Sequence, residues 1–200
     1  METKAKWNVS TTIEKFNTPE DFNQGNVSEI SKFDGNMLLT VGVTDLWNLV
    51  IGANNQGGAQ EHYDNSHAYI GVGSSAEGAV VGQTGLWNHD AVANPSGTPT
   101  VDNTWYKPMD ATYPQVSTNK VIFKSTFTGT GSPSNDEASF QWSEWSVARG
   151  TGAYVYATYV SDPEAWITTN IHKNLNRRVE EMGTKAPAAT WVITVEIQLL

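Results

Sequence analysis

The 200-residue chain contains no cysteine, which excludes disulfides and thiolate metal sites and removes the usual pointer to a redox compartment. Charge is scarce too. Only 16% of residues are Asp, Glu, Lys or Arg, against roughly 25% in an average globular domain. Basic residues are the fewest, 12 against 21 acidic ones, for a net charge of −9 and a pI near 4.8. A nucleic-acid binder carries a basic footprint, and none is present. The tight basic pair Arg177-Arg178 is followed closely by Glu180-Glu181 and reads as a solvated or interface face. Neither nucleic acid nor a membrane is expected as a partner. The first residues, Met1 to Trp7, lack the apolar core of a signal peptide. The longest largely apolar stretch, Met37 to Ile51, is interrupted by Thr, Gly, Asp and Asn and is too short to span a bilayer. The expectation is a product made and kept in a cytoplasm until it assembles.

Catalytic signatures are also missing. The sequence has no Gly-x-Ser-x-Gly elbow, no phosphate-binding glycine loop and no His-Glu-x-x-His. His62, Asp64 and His67 lie close together, but in a Gly- and Asn-rich loop and at no established ligand spacing. The adjacent carboxylates Glu20-Asp21, Asp136-Glu137 and Glu180-Glu181 fall in turns or polar faces. No enzyme activity, metal or cofactor is expected.

What is present is aromatic and β-prone. Eight Trp, seven Tyr and six Phe supply a large payload for a core or an interface. Residues 191 to 200 alternate: Trp191, Ile193, Val195, Ile197 and Leu199 share one face, with Val192, Thr194, Glu196 and Gln198 opposite. That period of two predicts a strand tied into a sheet or a partner. Further strands are predicted at Ala68–Val72, Val116–Phe127, Ala138–Val147 and Leu175–Val179, with a short extended piece at Trp105–Met109 and turn clusters between them. The phase slips at Glu144-Trp145, which predicts a bulge. Residues 116–127 and 138–147 together read as a hairpin. Leu39, Val43, Leu46 and Val50 recur at helical spacing, predicting a helix over 36–51, and Ser161-Asp162-Pro163-Glu164 suggests a short second one.

The expected fold is mainly β: an antiparallel β-sandwich or jelly-roll-like module with one helix and an extended N-terminal arm. The expected division is an arm over residues 1–35 and a β-rich domain over 36–200, with loop insertions near 86–105 and 153–172. The arm cannot form a core alone, so Trp7, Val9, Ile13, Phe16 and Phe22 are its candidate partner-binding residues. A different class of function, glycan binding, would use loop aromatics for stacking, and Trp87, Trp105 and Tyr106 are the candidates.

Several stretches resemble small virion structural proteins of tailed bacteriophages. They are Gly35-Asn36-Met37-Leu38-Leu39 with Gly42, Asn65 to Gly73 with Gln83-Thr84-Gly85-Leu86, and Tyr106 to Asp110 with Tyr113-Pro114. Ala138 to Trp145, and Leu175 to Val179 with Met182 to Lys185 and Thr190-Trp191, complete the set, which covers most of residues 35–200. These are structural patterns and identify no active site. The resemblance implies a virion component made in the host cytoplasm, first of all a capsid decoration or cement protein. Its implied partners are further copies of itself, a trimer being one form, and the major capsid protein or other virion proteins. The alternative is a tail, collar or fibre component that binds host-surface glycans.

Overall fold

A computed structural model describes residues 7–35, 37–39, 42, 62–79, 83–87, 103–129, 137–150 and 171–199. They form two antiparallel sheets packed face to face, with one short helix among the described residues. The first sheet contains β1 (Trp7–Phe16), β2 (Glu29–Asp34), β6 (Gln115–Ser117), β7 (Lys120–Phe127) and β11 (Thr190–Leu199), in the order β2-β1-β11-β7-β6. The second contains β3 (Met37–Leu38), β4 (Ala68–Gly73), β5 (Thr104–Pro108), β8 (Gln141–Gly150) and β10 (Asn176–Thr184), in the order β3-β10-β8-β4-β5. A short strand, β9 (Ile171–Asn174), also pairs with β8. This is the β-sandwich that the alternation predicts.

The alternating residues of β11 do what their pattern requires. Trp191, Ile193, Val195 and Ile197 are all buried between the sheets, facing Val9 and Ile13 of β1 and Phe123 and Phe127 of β7. β11 is the middle strand of its sheet, paired along its length with β1 on one side and β7 on the other. Aromatic rings lock the two sheets together. Trp142 of β8 stands edge-on to Phe127 and to Trp191, both at 4.8 Å between ring centroids, a geometry favoured by the ring quadrupoles.

Three expectations are corrected here. The segment read as an arm is part of the sandwich: β1 lies between β2 and β11, and Val9, Ile13 and Phe16 are buried in the chain's own core. Its partner strand lies at the far end of the sequence, so nothing local announces the pairing. Strands β7 and β8 do not form a hairpin, because they belong to opposite sheets and the link between them crosses the sandwich. Finally, Met37–Leu38, expected at the start of a helix, is strand β3; apart from Leu39 and Gly42, the rest of the 36–51 prediction lies outside the described residues. So do the short helix expected after Ser161 and most of the two expected insertions.

The described helix, α1 (Pro19–Gln24), was read as a turn, although the start signals are present. The Thr18 side chain accepts a hydrogen bond from Asp21 N, proline opens the first turn, and Glu20 and Asp21 place negative charge at the helix N-terminus. The irregularity expected in β8 at Glu144-Trp145 lies instead on the partner strand: between Val179 and Gly183 β10 carries the extra residues, opposite Glu144 and Trp142, while β8 pairs with β4 in unbroken register from Glu144 to Arg149. Trp142 and Trp145 both belong to the core, though they are three residues apart in sequence.

Candidate functional site

The second sheet is buried on both faces at its central strands. All six residues of β4 and nine of the ten in β8 are inaccessible. One face meets the first sheet. The other carries Gly71, Gly73, Glu144, Ser146, Tyr106 and Arg177, and residues from 74–79 and 83–87 lie over it. Glycine at 71 and 73 makes this cover feasible, because a methyl group there would run into the Tyr106 ring and the Glu144 carboxylate.

Polar groups under the cover satisfy one another. Arg177 Nε donates to Glu144 Oε2 at 2.6 Å, and both side chains are fully shut off from solvent. The remaining guanidinium nitrogens reach Gln83 Oε1 at 3.2 Å and the Glu77 carbonyl at 2.9 Å, and the Trp87 ring faces the cation at 5.6 Å. Trp87 N donates to both oxygens of Glu144. Desolvation pushes the Glu144 carboxyl above its ordinary range, against the pull of Arg177 and of its hydrogen-bond donors. Nearby, Asn174 Oδ1 accepts from the hydroxyls of Tyr106 and Ser146, and its amide donates to the Thr84 carbonyl at 2.9 Å. This cluster holds residues 74–79 and 83–87 to the sheet. Its groups are spent on one another.

Sequence reasoning missed it. Arg177, expected on a solvated or interface face, is among the largest fully buried side chains. Its partner stands 33 residues earlier in the chain. The available signal was a lone carboxylate, Glu144, flanked by tryptophans in a β-prone run. Arg178 does lie at the surface, where it donates to the carbonyls of Asp34 and Gly35 and pairs with Glu180.

The glycan candidates are placed unfavourably for stacking. Tyr106 is 3% exposed and its hydroxyl is engaged, so it is withdrawn as a sugar platform. Trp105 packs partly against the core, and Trp87 is half-buried beside Arg177. In the His62–His67 loop, Asp64 Oδ1 accepts from the backbone N–H groups of Ser66 and His67 and lies 2.7 Å from His67 Nδ1. Its carboxylate thus closes a local turn. Among the described residues no three His, Asp or Glu come together as metal ligands, and no helix is long and apolar enough to cross a membrane.

The accessible features lie along the lateral edges of the first sheet. On one side, two carboxylates close the open flank of β7. Asp110 N donates to the Lys124 carbonyl, while the Asp110 carboxylate accepts from Thr126 N at 2.9 Å and Thr126 Oγ1 at 2.7 Å. Next along, Glu137 N donates to the Thr128 carbonyl and its carboxylate accepts from Thr128 N at 2.7 Å. Glu137, expected in an exposed turn, is buried and also paired with Lys107. On the other side, among the described residues nothing of the kind covers β2 at Ile30 and Lys32, and Ile30 is 53% exposed. Of the five proposed arm residues, Val9, Ile13 and Phe16 are interior; Trp7 and Phe22 remain at the surface, with the Phe22 ring edge-on to Phe16 at 5.2 Å.

The chain matches no protein-family model, and no curated protein or solved structure shows significant similarity to it.

Proposed function

We propose that this protein is a structural component of a tailed-phage particle, acting as a capsid decoration or cement protein. The observation that carries the reading is a set of large apolar side chains left exposed outside the core. Trp7, Phe22, Val27, Ile30 and Val116 are all exposed, Ile30 and Val116 on opposite edge strands of one sheet. Single exposed apolar residues are ordinary; a series at the edges of a sandwich suits burial against neighbouring subunits. The phage-like stretches named above supply the setting. Many weak contacts repeated over a symmetric shell would add through multivalency. The contacts belong to edges and corners of the sandwich, since β1 is committed to the chain's own sheet.

The test is the copy number of this chain relative to the major shell protein in purified particles, by quantitative mass spectrometry. A number equal to the shell protein, or a simple fraction of it, supports the cement role. A handful per particle moves the protein to the tail, collar or fibre. Absence from particles overturns the reading.

A further inference from the structure

We propose that the open edge of β2 pairs with β2 of a second copy of this chain, antiparallel, across a two-fold axis at Ser31. The inference is independent of the particle role, and each can fail while the other stands.

The ladder geometry defines which groups are open. Gly35 N donates to the Val9 carbonyl, and the β1–β2 register then directs the backbone of Phe33, Ser31 and Glu29 toward β1. The even-numbered residues Ile30, Lys32 and Asp34 therefore turn their N–H and C=O groups outward. The Asp34 carbonyl is already taken by Arg178. Among the described residues nothing pairs with the N–H and C=O of Ile30 and Lys32, and these are the open groups.

One symmetric register uses all of them. With Ser31 on the axis, Ile30 of each copy faces Lys32 of the other as a hydrogen-bonded pair. Each such pair exchanges two backbone bonds. Ser31 meets its own copy at a non-hydrogen-bonded position, where side chains come closest and a small residue fits. An axis at Lys32 would instead place two ammonium groups face to face, and an axis at Phe33 would require the occupied Asp34 carbonyl. Because paired residues share a face, the outer face of the joined sheet continues across the axis.

Charge completes the match. Glu14 lies opposite Ile30 on β1. Lys32 of the second copy would stand on the far side of Ile30, two strand spacings or about 9.6 Å from Glu14, a gap that glutamate and lysine side chains leaning together can span. Among the described residues neither Glu14 nor Lys32 has an ion-pair partner. In the dimer both pairs form, and the Lys32 stem covers the exposed Ile30. An edge contact is small beside a stable interface of roughly 1,200–2,000 Å², so the dimer is weak in solution.

Lysine on an edge strand is also a common guard against pairing, and the experiment separates the two roles. The full chain and its variants are followed by sedimentation equilibrium from micromolar concentrations up to about 1 mM. The proposal expects a monomer–dimer equilibrium, weakened about tenfold or more by Lys32→Glu or by Glu14→Lys and restored in the double charge swap. Ile30→Pro removes an outward donor that β1 does not use, and should abolish dimerisation while thermal unfolding stays near that of the parent. If Ile30→Pro does not fold, the charge swaps decide alone. A chain that stays monomeric throughout overturns the proposal, as does a dimer indifferent to the swaps or one strengthened by Lys32→Glu.

Discussion

Arg177 Nε lies 2.6 Å from Oε2 of Glu144, joining β10 to β8 where neither side chain touches water. Removing one member of such a pair leaves the other charged and stranded. Glu144→Gln should cost about 3–5 kcal/mol, read as a lower urea midpoint. Replacing both residues with apolar side chains of similar volume should cost less than the two single changes together, because the desolvation cost disappears with the charges.

The glycines under the cover give a steric prediction. Gly73→Ala places a methyl group against a carboxylate already fixed by Arg177 and Trp87 N, and should destabilise by about 1–3 kcal/mol. Gly71→Ala, against the Tyr106 ring, should behave similarly. Gly78, with open space around it, is the control: Ala there should be close to neutral in the same thermal melt.

Two glutamates should shape the pH dependence with opposite sign. Hydrogen bonds from Lys15 and then Ser31 hold the Glu29 carboxyl below its ordinary range. Its contribution is present above the unfolded-state pKa and is lost as pH falls through the folded one. Glu29→Gln should therefore flatten the acid limb of a stability–pH curve. The change should be small, since the Glu29 side chain is 59% exposed and solvent screens the pair. Glu144, raised by burial, works the other way: its contribution is greatest below the unfolded-state pKa and declines as pH rises through the folded one. Urea midpoints taken across the acid range for both Gln variants should show the two slopes.

Asp110 substitutes for a missing strand along β7. Asp110→Ala leaves Thr126 N without its acceptor and should cost about 1–3 kcal/mol in a thermal or urea melt. It also uncovers a sheet edge, so turbidity on heating should rise in the variant. Asp110→Asn keeps one acceptor and should fall between the two.

The parts of this fold legible in the sequence are those where one residue's neighbours two positions away settle its face. The alternation in β11 and in residues 120–127 gives those strands and their buried sides, but the single strand expected over 116–127 is two, with β6 folded back antiparallel on β7. The tryptophan phase slip points to an irregularity at this place but to the wrong strand, since the unpaired residues lie on β10. What depends on distant partners was misread. Trp7 to Ile13 look like a strand without a sheet because β11 lies at the other end of the sequence. Strands β7 and β8 look like a hairpin because they are consecutive, whereas β11 and β10 claim them for different sheets. Arg177 looks solvated beside Arg178 because only the fold brings Glu144 under it. Turn chemistry was underused as well: Thr18-Pro19 with two acidic residues after it is a helix start, and only a short helix follows.

The pairing of residues 7–16 with residues 190–199 also constrains when the sandwich can exist. During synthesis β1 leaves the ribosome early, and the strand destined to lie between it and β7 is made last of these three. Until then the first sheet lacks its central member, and the apolar sides of β1 and β7 have no common neighbour to close on. Contacts so distant along the chain make folding slow relative to helical proteins of similar size. Completion of the core thus becomes a late checkpoint. A chain interrupted before residue 190 keeps β1 and β7 as unpaired edges, material for proteolysis or aggregation rather than for assembly.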